Sequence, residues 1–223
     1  MKLKKIASLM LAGIMAISML TACGDNSDEG EANSQVPATS NVVDYANQTL
    51  SAVSKEYMTY KSSASLDAEL KKAATDTSKF SAANISTVFQ SGDPENDENY
   101  NYAMAGKIAD DMSGVEAYSN ESYTGHGFDV MPANKDSKTI VWVYTVSGAL
   151  NEKQAVEAAA THFSNWMVGS VLTKTLDNGK YDAKYTAEIS ALKVTNSSMQ
   201  VGSAWVVAIS TTQKVTKASN TQV

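Results

Sequence analysis

The sequence has no arginine, a single cysteine and two histidines among its 223 residues. All 18 basic side chains are lysines, so the chain lacks the planar guanidinium that grips phosphate and carboxylate groups with two hydrogen bonds. One cysteine cannot close an intramolecular disulfide, and two histidines cannot supply a metal site of three imidazoles. These absences argue against nucleic-acid binding, a disulfide framework and a histidine-rich metal centre.

Common catalytic and cofactor motifs are also missing. The sequence contains no Gly-x-Ser-x-Gly, no P-loop and no dinucleotide-binding fingerprint. The string Ser190-Ala191-Leu192-Lys193 fits the S-x-x-K pattern of penicillin-binding enzymes, but it falls in a predicted strand and no Lys-Thr-Gly accompanies it. We interpret this string as a chance match, and we expect no enzymatic activity and no cofactor.

The N-terminal residues have the order of a bacterial export signal. Three lysines among the first five residues precede a mostly apolar run over residues 6–20, which fits a signal peptide and is short of the roughly 20 residues of a membrane span. The run ends in Leu20-Thr21-Ala22-Cys23, which resembles the lipobox of bacterial lipoproteins. The resemblance implies cleavage before Cys23, a diacylglyceryl thioether on its sulfur, and further acylation, for example with palmitate.

Residues 24–40 favour the lipoprotein interpretation over a plain membrane span or a signal with a coincidental cysteine. They are polar and acidic, with too few apolar residues to order on their own. We therefore predict a signal peptide over 1–22, a flexible acidic tether over 23–40, and attachment through acylated Cys23 to the outer leaflet of the bacterial cytoplasmic membrane. After cleavage, 15 lysines face 24 acidic residues, and the net charge of −9 also disfavours nucleic acid as a partner.

Hydrophobic periodicity predicts alternating helical and extended segments in the rest of the chain. Helices are expected over 42–60, after the Ser62-Ser63 break, over 102–115 and from Asn151 onward, where Gln154 completes a capping box. Strands are expected over 139–147, 189–194 and 204–212, with short strands at 85–89 and 128–131 and an ambiguous segment at 181–188.

This order lacks regular βαβ alternation and predicts an α+β fold, with a mixed or antiparallel sheet and amphipathic helices packed on one face. One domain is predicted over 41–213, followed by a frayed tail over 214–223; a division into a helical part, 41–118, and a sheet-containing part, 126–213, stays open. From Thr139 onward the pattern resembles the C-terminal domain of small lipoproteins of low-GC Gram-positive bacteria, whose closing strand matches residues 202–210. That resemblance supplies no catalytic or binding residues.

A cluster of tyrosines around the two central loops is the candidate binding rim. Tyrosine beside carboxylates is typical of sugar and peptide recognition, although half-buried tyrosines with hydrated hydroxyls are the alternative. The candidates are Tyr100, Tyr102, Tyr118, Tyr123 and the glycine-flanked His126. His126, with Glu121 and Asp129 nearby, could also meet a metal, but we interpret it as a solvent-exposed loop residue.

Two further features have plain structural interpretations. The acidic run over 93–99 resembles a calcium loop but carries Glu98 where the EF-hand needs its turn glycine, so a solvated turn is expected. His162 lies one helical turn before Trp166, and we expect it at the edge of the core.

The main hypothesis is a non-enzymatic, membrane-anchored module that binds a protein partner or a small ligand outside the cell. The alternatives are an envelope hydrolase that uses loop carboxylates between Ser91 and Gly127, and a purely structural envelope module.

Overall fold

The computed structural model describes residues 39–75, 100–118, 128, 137–169, 181–195 and 203–218. Within these ranges the chain forms five helices and five strands. In chain order they are α1 (Thr39–Thr49), α2 (Ala52–Tyr57), β1 (Met58–Lys61), α3 (Ala64–Thr75), α4 (Tyr100–Asp111), β2 (Val115–Ala117), β3 (Ser137–Ser147), α5 (Glu152–Met167), β4 (Tyr181–Thr195) and β5 (Ser203–Lys217).

The five strands form one mixed sheet in the order β1-β4-β5-β3-β2. The central strand β5 runs antiparallel to both of its long neighbours, β4 and β3, whereas each short edge strand runs parallel to its neighbour. Strand β5 is buried over most of its length, as an interior strand with helices on both sides should be. Because β1 and β2 precede residue 118, the two halves of the chain share this sheet.

Helices cover both faces of the sheet. On one face, which we call the aromatic face, Trp142 and Tyr144 of β3 pack with α1 and α5. On the opposite face, Val141 and Val143 pack with α3 and α4. The predicted α+β class, with helices packed against a mixed sheet, is confirmed. The helices are not confined to the single face that was expected, because β3 and β5 present apolar side chains in both directions.

Helix α5 begins as its sequence predicts. The Asn151 side chain accepts a hydrogen bond from the Gln154 backbone N–H, and the Gln154 side chain accepts one from the Asn151 backbone N–H. This capping box satisfies two backbone donors at the helix start. Apolar residues recur at helical spacing along α5 and are buried, at Val156, Ala160, Phe163 and Met167.

The prediction of one helix over 42–60 is wrong. Helix α1 ends at Thr49, Ser51 caps the short α2, and residues 58–61 form β1. The Asn47 side chain donates to the Tyr60 carbonyl at 3.0 Å and accepts from the Tyr60 N–H at 2.9 Å, so it anchors this edge strand against α1. Val53, which a single helix over 42–60 would place on one buried stripe with Ala46 and Leu50, is 48% exposed.

Two other boundaries differ from expectation. The helix expected over 102–115 ends at Asp111, because Gly114 adopts a φ of 77° that turns the chain into β2. Strand β5 continues to Lys217, where a frayed tail was expected from Lys214 onward, and pairs there with the ambiguous segment that begins β4. The strand expected at 85–89 lies outside the described residues, as do residues 129–131 of the strand expected at 128–131; Phe128 itself is described and lies in a turn.

Candidate binding site

The aromatic face is built around the Trp142 indole. Strand β3 presents this ring midway along its length, and four other rings surround it. Their centroids lie 5.1–5.6 Å from that of Trp142, and they belong to Tyr118, Phe128, Phe163 and Trp166. Tilted and offset rings at such distances contribute about 0.5–1.5 kcal/mol per pair beyond the area that they bury.

Local structure explains how these rings converge. Phe163 and Trp166 are three residues apart on α5, so they lie on the same side of the helix. Tyr118 follows β2, where its backbone N–H donates to the Val141 carbonyl at 2.9 Å and places its ring on Trp142. The Tyr102 ring, from the first turn of α4, meets Tyr118 edge to face at 5.9 Å. Sheet, helix and edge strand together fix the cluster.

A buried amide lies at the end of the sheet nearest Phe128. Gln213 of β5 is fully buried, and its Nε2 donates to the Phe128 carbonyl and to the Tyr185 hydroxyl, each at 3.0 Å. The Phe128 and Tyr185 rings lie edge to face at 5.6 Å. A polar side chain therefore sits among the rings, on a strand whose other buried residues on this face are mainly apolar.

Two polar atoms beside this network have no hydrogen-bond partner. They are Oε1 of Gln213 and the Thr211 hydroxyl, both enclosed by the protein. Residues 211 and 213 are two apart on β5, so both side chains project from the aromatic face. Leaving a buried polar group unsatisfied costs about 1–3 kcal/mol, and native structures rarely leave two such groups side by side.

Phenols at the other side of the cluster serve structural roles. The Tyr60 hydroxyl donates to the Ala160 carbonyl of α5 at 3.2 Å and ties β1 to that helix. Burial raises the pKa of Tyr60, and burial together with the neighbouring phenols raises the pKa of Tyr144 well above its ordinary value. Both groups remain neutral at physiological pH and do not act as general bases there.

The sequence-predicted rim residues fall into three groups. Tyr102 and Tyr118 come together, but Tyr118 is buried within the cluster, with a relative exposure of 8%, and does not form an open rim. Tyr100 is the first residue of α4, and nothing is described of its side chain. Tyr123 and His126 lie outside the described residues, as does Cys23, the predicted lipidation site.

The structure also shows where Ser190 and Lys193, the two defining residues of the S-x-x-K string, and His162 lie. Ser190 packs toward α3, where its hydroxyl hydrogen-bonds Asp67, whereas the Lys193 ammonium lies 5.7 Å from the Trp205 ring centroid on the aromatic face. Residues three apart on a strand face opposite ways, so this pair cannot act as nucleophile and base. His162 is exposed and lies against the Tyr144 ring at 5.5 Å.

No group of three histidine, cysteine or carboxylate side chains converges among the described residues. Nor does any helix in the described ranges combine the length and apolar character needed to cross a bilayer.

Sequence reasoning missed Gln213 and Thr211. The signal was present, because the alternation of Trp205, Val207 and Ile209 continues through Thr211 to Gln213 and puts two polar residues on an apolar face. Assigning the strand end near residue 212 hid this continuation.

Comparisons with known proteins give no match: no family model, no curated protein and no solved structure resembles this chain significantly.

Proposed function

We propose that this protein is a membrane-anchored extracytoplasmic lipoprotein whose α+β domain is a binding module without enzymatic activity. The observation that carries the binding role is the pair of unpartnered buried polar atoms on Thr211 and Gln213, next to the rings around Trp142. A face that packs only for stability would carry apolar side chains at these positions, since each unsatisfied group lowers stability.

The chemistry of the described cluster fits binding better than catalysis. Its polar groups are an amide, a hydroxyl, a backbone carbonyl and phenols. None of these changes its protonation near neutral pH, so they can orient a ligand but cannot transfer its protons efficiently.

Anchoring rests on Leu20-Thr21-Ala22-Cys23 and on the polar residues that follow it. One acyl chain gives marginal membrane binding, whereas two or more hold a protein firmly on the bilayer. A diacylglyceryl group on Cys23 meets this requirement, and the polar, acidic residues between Cys23 and the start of α1 at Thr39 separate the domain from the lipid surface.

Fractionation of Cys23→Ala protein tests the anchor, with Ser27→Ala in the tether as the matched control. We expect the control to remain in the membrane fraction and to incorporate labelled palmitate, and the cysteine variant to lose the label. A cysteine variant that still carries palmitate would refute the lipoprotein assignment.

A thermal-shift screen of the full chain in detergent tests the binding role. Glycans, short peptides and calcium are the first compounds, with the probes described below added to the same plates. We expect at least one compound to raise the unfolding temperature in a concentration-dependent way. If no compound in the screen does so, the binding module is the wrong interpretation.

A further inference from the structure

We propose that Gln213 and Thr211 form the polar floor of a binding site for a small, neutral, ring-containing ligand that carries an N–H or O–H donor. The ligand would donate to Gln213 Oε1, place a second polar group at the Thr211 hydroxyl, and lie against the rings of Phe128 and Trp142. This inference rests on the binding role proposed above and specifies where and what the domain binds.

The Gln213 amide has a defined orientation. The Phe128 carbonyl can only accept a hydrogen bond, so the amide nitrogen, and not the oxygen, must face it. Both amide hydrogens are then engaged, one by Phe128 and the other by the Tyr185 hydroxyl. Oε1 is left with two unused lone pairs and no donor, which specifies a ligand that donates.

The Thr211 hydroxyl adds a second contact. In the sheet, Thr211 lies opposite Ala187 on β4 and Ile140 on β3. Neither of these side chains can form a hydrogen bond. A hydroxyl rotates freely and can donate or accept, so it tolerates either kind of group on the ligand. Ala187 carries only a methyl group, so the neighbour of Thr211 on β4 is small.

The surroundings select an uncharged ligand. Gln213 is flanked in the sheet by Tyr185 on β4 and by Lys138 on β3. The Lys138 ammonium is already paired with Glu116, with Nζ and Oε2 2.9 Å apart. Burial of an unpaired charge among aromatic rings would cost far more than one amide oxygen could return, so a neutral molecule fits.

The rings select a flat ligand body. Phe128 lies 5.5 Å from Trp142 and 5.6 Å from Tyr185, measured between ring centroids. Planar groups gain stacking and edge contacts here in addition to burial. Because the polar atoms are enclosed, the surrounding side chains must separate to admit the ligand, and we expect association slower than is typical for an open site.

Two pairs of probes that match in shape test the donor requirement on the full chain in detergent. Indole and benzofuran differ in the ring N–H, and phenol and toluene differ in the hydroxyl. Thermal unfolding across a concentration series gives the affinity of each. We expect indole and phenol to bind about tenfold more tightly than their partners, as one additional buried hydrogen bond implies. Equal affinities within each pair would overturn the proposal.

Two variants locate the binding. Gln213→Met keeps the side-chain length and removes Oε1, and it should abolish the preference for the donor-bearing probes. Thr211→Val retains the shape of the side chain and leaves Gln213 in place, so it serves if the first variant does not fold. It should reduce the preference for phenol over toluene at least twofold, because the phenol oxygen can accept from Thr211 while its hydrogen is donated to Gln213. The preference for indole over benzofuran should stay unchanged, since indole has no second polar group.

The outcomes separate this site from the general binding role. If indole, phenol or a screened compound stabilises the wild type and both variants equally, the module binds elsewhere and only the site is wrong. If nothing in the screen stabilises the wild type, both proposals are wrong.

Discussion

Gly148 links β3 to α5 and provides the most demanding test of the fold that carries the aromatic face. A Cβ at this position would overlap the Ser203 carbonyl at the start of β5, to which the Gly148 backbone N–H donates at 2.9 Å. Gly148→Ala must therefore push the β3–α5 turn away from β5. Overpacking costs about 1–3 kcal/mol, and a lost backbone hydrogen bond costs about 0.5–1.5 kcal/mol, so we expect a loss of about 3 kcal/mol.

The same substitution at Gly106 is the matched control. Gly106 lies inside α4, and a Cβ there meets no atom within 4 Å. Alanine in a helix interior is favoured over glycine by about 0.5–1 kcal/mol, so Gly106→Ala should raise the free energy of unfolding by that amount. The same glycine-to-alanine change is thus expected to lower the free energy of unfolding at position 148 and to raise it at position 106.

Urea unfolding followed by tryptophan fluorescence and far-UV circular dichroism measures both variants. A Gly148→Ala protein within 0.5 kcal/mol of wild type, taken as roughly the scatter expected for a neutral surface change, would refute the packing of this turn against β5. Destabilisation of similar size by both variants would refute it too, because steric overlap occurs only at position 148 and could not explain an equal loss at position 106.

Three further predictions concern the core, a helix start and pH. Trp142→Ala should lower the free energy of unfolding by about 3–5 kcal/mol and reduce the near-UV dichroism, since it removes the ring at the centre of the cluster. Asn151→Ala should cost about 1 kcal/mol in urea unfolding, because the capping box with Gln154 is lost. Partial burial raises the pKa of Asp67 above 3.8, and the hydrogen bond from the Ser190 hydroxyl offsets only part of this shift. The folded protein therefore holds the Asp67 proton more tightly than the unfolded chain does, so the free energy of unfolding should fall as pH rises from 3.8 through the raised pKa. Asp67→Asn should remove that component of the stability profile.

Each of these has a contradicting result. Unchanged near-UV dichroism in the Trp142 variant would mean that the rings are not fixed around it. An Asn151 variant as stable as wild type would exclude the capping box as a source of stability. A pH profile that is the same for wild type and Asp67→Asn would contradict the burial of that carboxyl.

Strong local signals explain what could be predicted. Helix α5 has its capping box, its apolar stripe and no competing strand pattern, so tertiary contacts agree with the local sequence. Alternate residues of β3 form two apolar sets, one for each face of the sheet, and an apolar pattern on both faces is typical of an interior strand. The start of α5 and both ends of β3 were predicted to within two residues, and the two elements together supply Trp142, Phe163 and Trp166 to the site.

Long-range pairing explains what could not be predicted. Tyr57 and Tyr60 fit a helical stripe, but Met58 and Tyr60 also alternate with exposed residues, and contacts with Asn47 and β4 decide in favour of a strand. The segment over 181–188 was ambiguous for the same reason, and it becomes part of β4 through pairing with β5.

The candidate site depended on the same kind of information. Gln213 looks like an ordinary polar residue near the C-terminus until β5 is extended to Lys217. Only then does its side chain fall on the buried face beside Tyr185 and Phe128. Local sequence gives no indication that residues 128 and 213 meet.

The mass of the intact protein purified from its native membrane tests the central claim most directly. The account predicts the mass of residues 23–223 plus a diacylglyceryl group, with or without a further acyl chain on the new N-terminus. A mass equal to the unmodified 223-residue chain, or to a fragment that begins elsewhere and carries no lipid, would contradict it.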